Sequence, residues 1–371
     1  MTDPALAFWL LAGAAFLQAA LAGAILLPAA RVLGRRLGLV DHPTLERKIH
    51  REPTPRSGGL AIFAAFWGCL WLDAALAVHL APHLEFLPEQ ARALAANAGG
   101  KLPQLAALFA GAAIIFAVGA WDDRAGLSPR FRLAAQILAC VPPILAGIHL
   151  NLFLPAPFGW AATVVWVLAL TNSFNFLDNM NGVTSGLAIV CAAVLALVSA
   201  LAREWYMAAV FALLAGSVVG FWRVNFLRGG IFLGDNGSTH LGYLFAMLTC
   251  LATYYEEGVP SRLPILMPAL VLAVPLFDLS TVLWIRWRTG RKLTEGDTNH
   301  ISHRLVALGF SRREAAVVLY AVALAVGLAA VALRQLDWRH GLLQTASIAL
   351  LFAVLHRAER VSRRRADTPP R

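Results

Sequence analysis

Apolar stretches of membrane-spanning length recur from one end of this 371-residue chain to the other. Leu105–Ala120, Ala161–Leu170, Val183–Leu201, Leu263–Leu276 and Ala315–Leu333 are runs of the kind a helix needs to cross a ~30 Å hydrocarbon layer. With 59% hydrophobic and 14% charged residues, the composition fits no soluble class. The expected fold is therefore all-α, a polytopic transmembrane helical bundle. About eleven spans are expected, near residues 5–30, 58–81, 103–121, 132–150, 158–172, 183–201, 205–222, 238–254, 263–285, 314–333 and 341–356. They form one integral-membrane domain over 1–356, followed by a basic tail, 357–371. Leu6–Ala30 is too long for a signal-peptide core and lacks a basic leader, so it reads as the first span.

The net charge of +10 does not point to nucleic acid, because the basic residues sit between apolar runs and form no aromatic-interleaved face. About 25 of the 31 Lys and Arg fall in or beside 31–57, 122–131, 173–182, 223–237, 286–313 and the tail. That asymmetry orients the N-terminus outside and the C-terminus in the cytoplasm, in a cell inner membrane. Cys69, Cys140, Cys191 and Cys250 lie within or at the ends of apolar segments, as small buried hydrophobes do.

The polar clusters map to the same cytoplasmic side. Residues 38–63 carry Lys48, His50 and Arg56 ahead of Gly58-Gly59, basic groups with a glycine pair whose N–H groups are expected to approach an anion. Adjacent carboxylates at an interface are costly unless hydrated, paired or on a metal, and Asp122-Asp123 have Arg124, Arg130 and Arg132 within reach. Asp122 is the candidate base. Residues 171–186 contain no Lys or Arg but offer Asn172, Asn175, Asp178, Asn179 and Asn181, oxygen ligands of the kind hard cations prefer. Asp235 stands between glycines before the next apolar run, and a plain helix cap is the simpler reading there. His300 and His303, with Arg304 beside them, suit diphosphate or sugar better than zinc, since no cysteine joins them.

Taken in order, these loops resemble the polyprenyl-phosphate N-acetylhexosamine-1-phosphate transferase superfamily (glycosyltransferase family 4), in its WecA-like bacterial branch. The resemblance covers roughly residues 38–310. It implies a Mg²⁺-dependent enzyme, with Mn²⁺ as the alternative ion, that joins a UDP-N-acetylhexosamine to polyprenyl (undecaprenyl) phosphate and releases UMP. Carried over residue by residue, it implies catalytic roles for Asp122, Asp123 and Asp178 and metal ligation by Asp235 and Asn181. Lys48, His50, Arg56, Gly58, Gly59, Asn172, Asn175, His300, His303 and Arg304 become substrate contacts, and Asp278 matches a position of undefined role. Two motifs depart from the family. Its bacterial Asp-Gly-x-Asp-Gly reads Asp178-Asn179-Met180-Asn181-Gly182, and its His-x-His-His reads His300-Ile301-Ser302-His303. A UDP-muramoyl-peptide donor, a lipid-phosphate transporter and a catalytically inert lipid-phosphate binder are the rival readings; a homodimer is left open.

Overall fold

The computed structural model describes residues 4–41, 53–83, 92, 95, 97–151, 153, 155–254, 260–292 and 299–366. Among them the chain is a bundle of thirteen α-helices with one short β-hairpin. Helix α1 (Pro4–Arg36) leads to β1 (Val40–Asp41) and β2 (Thr54–Pro55), which pair antiparallel with Val40 opposite Pro55. Then follow α2 (Gly58–His79), α3 (Leu102–Ala125), α4 (Pro129–Leu145), α5 (Ala156–Leu177), α6 (Val183–Leu201), α7 (Trp205–Leu227) and α8 (Asp235–Leu251). The rest comprises α9 (Met267–Val271), α10 (Ala273–Arg288), α11 (Ile301–Ala307), α12 (Arg312–Val331) and α13 (Trp338–Ala366).

Ten of the eleven expected runs each fall on one helix and the eleventh, 263–285, is divided between two, but by length and apolarity only eight qualify as spans among the described residues, or nine with the α9–α10 pair. The difference has a physical cause. Helices α4 and α8 are 17 residues long, and α8 opens with the polar Asp235-Asn236-Gly237-Ser238-Thr239-His240. The segment expected as one span over 263–285 is bent by 73° between α9 and α10.

Helix α8 is the hub. Every residue from Asn236 to Thr249 is buried, against α2, α3 and α5. Helices α1 and α7 pack most extensively of all, and here small residues set the approach. A Cβ on Gly216 would stand 2.2 Å from the Phe16 carbonyl oxygen, and one on Gly220 would stand 2.6 Å from the Ala24 nitrogen. Outer helices keep leucines such as Leu17, Leu21, Leu145 and Leu350 exposed, as a lipid-facing surface requires.

Several expected loops are ends of helices. Asp122 and Asp123 occupy the last turn of α3, and Asn172 and Asn175 lie on the final turns of α5. These carboxylates and amides are consequently fixed by helix packing.

Candidate active site

The C-terminal ends of α3, α5 and α7 and the N-terminus of α8 meet around a cavity of about 690 Å³. Asp123, Asp178, Asn179, Asn181 and Asp235 line it, with Arg56, Arg228, Arg312 and Arg313. Acidic and basic groups thus line one cavity, which suits a polyanion bound together with a cation.

The centre is built on the start of α8. A helix N-terminus leaves backbone N–H groups without intrahelical partners and carries partial positive charge. Asp123 meets both needs: its Oδ1 accepts from the Asp235 N–H and its Oδ2 from the Asn236 N–H, each at 3.0 Å. The Asn236 amide adds a donor at 2.6 Å to Asp123 Oδ2 and another at 2.8 Å to the Arg56 carbonyl. Gly234 precedes the helix at φ 79, where a Cβ would stand 2.7 Å from both Asp123 Oδ2 and the Arg56 carbonyl oxygen.

Asp235 is freer. Its carboxylate accepts from Asn175 Nδ2 at 2.8 Å, while the Arg132 guanidinium lies 3.7 Å from its Oδ2. Arg132 also pairs with Asp122 at 2.9 Å, and the Leu127 N–H donates to Asp122 at 2.6 Å. Asp122, expected as the base, is therefore engaged by protein donors and is absent from the cavity's described lining. Adjacent helical residues point about 100° apart, so the paired aspartates face different neighbours. Asp178 and Asp235 both have a raised carboxylate pKa, burial being the first cause in each. Burial, then the Asp123 charge, pushes the Asp178 pKa up to about 7, and Asp178 lines the cavity.

Asn181 is exposed at the cavity wall, with its Oδ1 3.5 Å from Asn225 Nδ2. Asn225 is buried and binds the Gly182 N–H at 2.6 Å and the Ile231 carbonyl at 2.8 Å, pinning the Asn181 loop to α7. Sequence reasoning passed over Asn225; its signal is a lone amide in the last turn of an apolar helix. Asn236, buried beneath Asp123, was passed over as well.

One expectation is corrected. Gly58 and Gly59 were expected to present N–H groups to an anion, but these donate to the Phe232 and Leu233 carbonyls, both at 2.9 Å. A Cβ on Gly59 would stand 2.0 Å from Asn236 Oδ1, so the glycine admits α8 against α2. Arg304, expected as a substrate contact, is a buried residue of α11 and donates to Thr281 at 3.2 Å. Asn172 also points away from the cavity, donating to Gln136 Oε1 at 2.9 Å.

His300 and His303 sit at a second centre outside the cavity lining, their ring centroids 6.4 Å apart. The fully buried Asp278 defines it, accepting from the Ile301 N–H at 2.6 Å and lying 2.8 Å from His300 Nδ1. That explains a carboxylate within an apolar segment: it anchors α11. Arg56 is held at 2.5 Å from Asp41 and 4.0 Å from Asp123, across the hairpin. Lys48 and His50 lie outside the described residues.

Among the described residues, the cavity lining offers a hard metal ion carboxylate and amide oxygens. Among the described residues no three His, Cys, Asp or Glu side chains are arranged to hold an ion. Mg²⁺ needs no such cage, since it commonly takes one or two carboxylates with water and substrate phosphates. Asp235 and Asn181, which both line the cavity, fit that requirement, and the Asp123 charge that raises the Asp178 pKa after burial is one a cation would relieve.

The chain's residues 105–253 match the family model described as glycosyl transferase family 4. It is 28% identical over 331 residues to the "Probable undecaprenyl-phosphate N-acetylglucosaminyl 1-phosphate transferase" of Bacillus subtilis (strain 168), covering 86% of this chain and 84% of that one. To the "Decaprenyl-phosphate N-acetylglucosaminephosphotransferase" of Mycobacterium leprae (strain TN) it is 33% identical over 317 residues, 78% and 75% of the two chains. To the "Undecaprenyl-phosphate alpha-N-acetylglucosaminyl 1-phosphate transferase" of Salmonella typhi it is 28% identical over 306 residues, again 78% and 75%.

Proposed function

Since the chain belongs to the polyprenyl-phosphate N-acetylhexosamine-1-phosphate transferase superfamily, glycosyl transferase family 4, we propose that it transfers N-acetylglucosamine 1-phosphate from a UDP-sugar to a polyprenyl phosphate, releasing UMP. The observation that carries this reading is the meeting of Asp123, Asp178, Asp235 and Asn181 with four arginines around one cavity at the helix ends. The relatives' names favour N-acetylglucosamine over a muramoyl-peptide donor. Functional groups at helix ends also fit a surface reaction better than a transporter, whose binding groups sit near the bilayer midplane.

Phosphoryl transfer asks the protein for alignment and charge balance. Arg56, Arg228, Arg312 and Arg313 balance the charge of the donor diphosphate. Asp178, with its pKa about 7, takes the acceptor phosphate's proton. An acceptor oxygen bonds to the sugar-linked phosphorus as that phosphorus parts from the bridging oxygen, and UMP leaves with it. Arg132 and Asn175 hold Asp235 in orientation. Mg²⁺, or Mn²⁺ in its place, would be held by Asp235 and Asn181 and would supply neutralisation of the diphosphate. The site faces the cytoplasm of an inner membrane, with the N-terminus outside, as the distribution of Lys and Arg supports.

The test is release of UMP from UDP-N-acetylglucosamine by the purified protein in detergent with polyprenyl phosphate and Mg²⁺. Release that needs both the lipid and the ion is expected. Absence of release under these conditions would remove the proposal.

A further inference from the structure

The two motif departures that look independent in the sequence touch each other in the fold. Ser302, fully buried at the start of α11, donates its hydroxyl to Asn179 Oδ1 at 2.7 Å, across 123 positions of chain. These are the positions at which the family motifs read His and Gly. Asn179 in turn donates through Nδ2 to the Phe176 carbonyl at 2.8 Å, at the end of α5. The Phe176 ring stands edge to face with the His300 ring at 5.9 Å, which brings the circuit back to within two residues of Ser302. On the far side of the same turn, Asp278 holds His300 and Ile301.

From this arrangement we infer that Asn179 and Ser302 form a latch that positions the His300–His303 turn against the Asp178 side of the cavity. The inference rests on the transferase reading above and on the substrate contacts that the family resemblance implies for His300 and His303, and it concerns how that site holds its donor. Asp278 fixes the turn to α10, which itself packs on α5, and the Phe176–His300 ring contact brings the turn to the end of α5. The Asn179 amide adds a direct hydrogen bond between α11 and the turn after α5, and Asn179 itself lines the cavity beside Asp178. Ser302 and Asn179 are thus positioning residues: neither needs to touch the reacting atoms, and each acts only through the other.

The experiment is a double-mutant cycle in the full-length protein, with Ser302→Ala, Asn179→Ala and both together, and with Ser302→Thr as the variant that keeps the hydroxyl. Losing one neutral hydrogen bond should raise the donor KM about two- to tenfold in each single variant, with kcat changed much less. The double variant should be no worse than either single one, because the contact is lost only once. Ser302→Thr should return KM towards wild type. Amide exchange over residues 301–307 should quicken equally in all three disrupted variants. Additive KM effects, or faster exchange with KM unchanged, would overturn the latch. If wild-type protein released no UMP, the transferase reading would fall, and the exchange cycle alone would judge the latch: equal acceleration in the three would uphold it, and unchanged or additive exchange would overturn it.

Discussion

Asp123 Oδ1 accepts the backbone N–H of Asp235 at 3.0 Å, joining residues 112 positions apart in the lining of one cavity. Because Asp123 also takes the Asn236 N–H, the two carboxylates differ in kind: one caps a helix and the other is presented by it. Asp123→Ala should leave buried donors unpaired and lower stability by about 1–3 kcal/mol, read from denaturant or thermal unfolding in detergent. Asp235→Ala should abolish transfer with little change in unfolding. Equal destabilisation by both would contradict this division.

Arg132 bridges Asp122 and Asp235, whereas Arg124 and Arg130 are exposed. Arg132→Ala should reduce kcat/KM by roughly one to two decades, the value of a charge-assisted hydrogen bond. Arg124→Ala should stay near wild type. Steady-state UMP release distinguishes them, and a similar loss in both would argue for a general charge effect.

Asp178 has a pKa raised from 3.8 to about 7, first by burial. The folded state therefore holds a proton that the unfolded chain has released between these values. The stability that Asp178 contributes should be fullest below pH 4 and be lost as pH rises through 7. Asp178→Asn should flatten that slope in unfolding scans run with a chelator. A slope of the same size in the variant would assign the effect elsewhere.

Asn181 is an exposed residue of the cavity lining, its Oδ1 3.5 Å from Asn225 Nδ2. Asn181→Asp should retain activity with tighter apparent Mg²⁺ dependence, and Asn181→Leu should lose it. A Mg²⁺ titration of UMP release checks both. Wild-type behaviour in Asn181→Leu would take this residue out of the ion's surroundings.

Orientation is testable in intact cells with a membrane-impermeant thiol reagent, the native cysteines being buried or half-buried. Asn97→Cys should be modified from outside and Lys292→Cys protected until the membrane is opened. Labelling of Lys292→Cys from outside would invert the topology.

The helices were largely legible because apolar length alone defines a span, and α6, Val183–Leu201, follows its run residue for residue. The bend between α9 and α10 was hidden within an unbroken apolar run, although Pro264, Pro268 and Pro275 were its local signal. At the site, residue type pointed to the cluster, but side-chain direction did not follow from it. The Asp122-Asp123 pair reads as a unit in sequence and divides only when helix rotation gives Arg132 to one and the start of α8 to the other. Likewise Gly58-Gly59 matched a phosphate loop in composition, while their N–H groups are committed to residues 174 positions further along. Long-range pairs such as Ser302 with Asn179 leave no periodic trace.

The enclosure of α8 bears on how the protein is made. Its opening turns, Asp235 to His240, are too polar to rest stably in hydrocarbon alone, and its flanks are covered by α2, α3 and α5. All three of those helices precede it in the chain, so it leaves the ribosome after the walls of its slot have been synthesised. The element that carries Asp235 is thus delivered into a prepared protein environment, and an order of synthesis that placed it first would leave its polar end facing lipid.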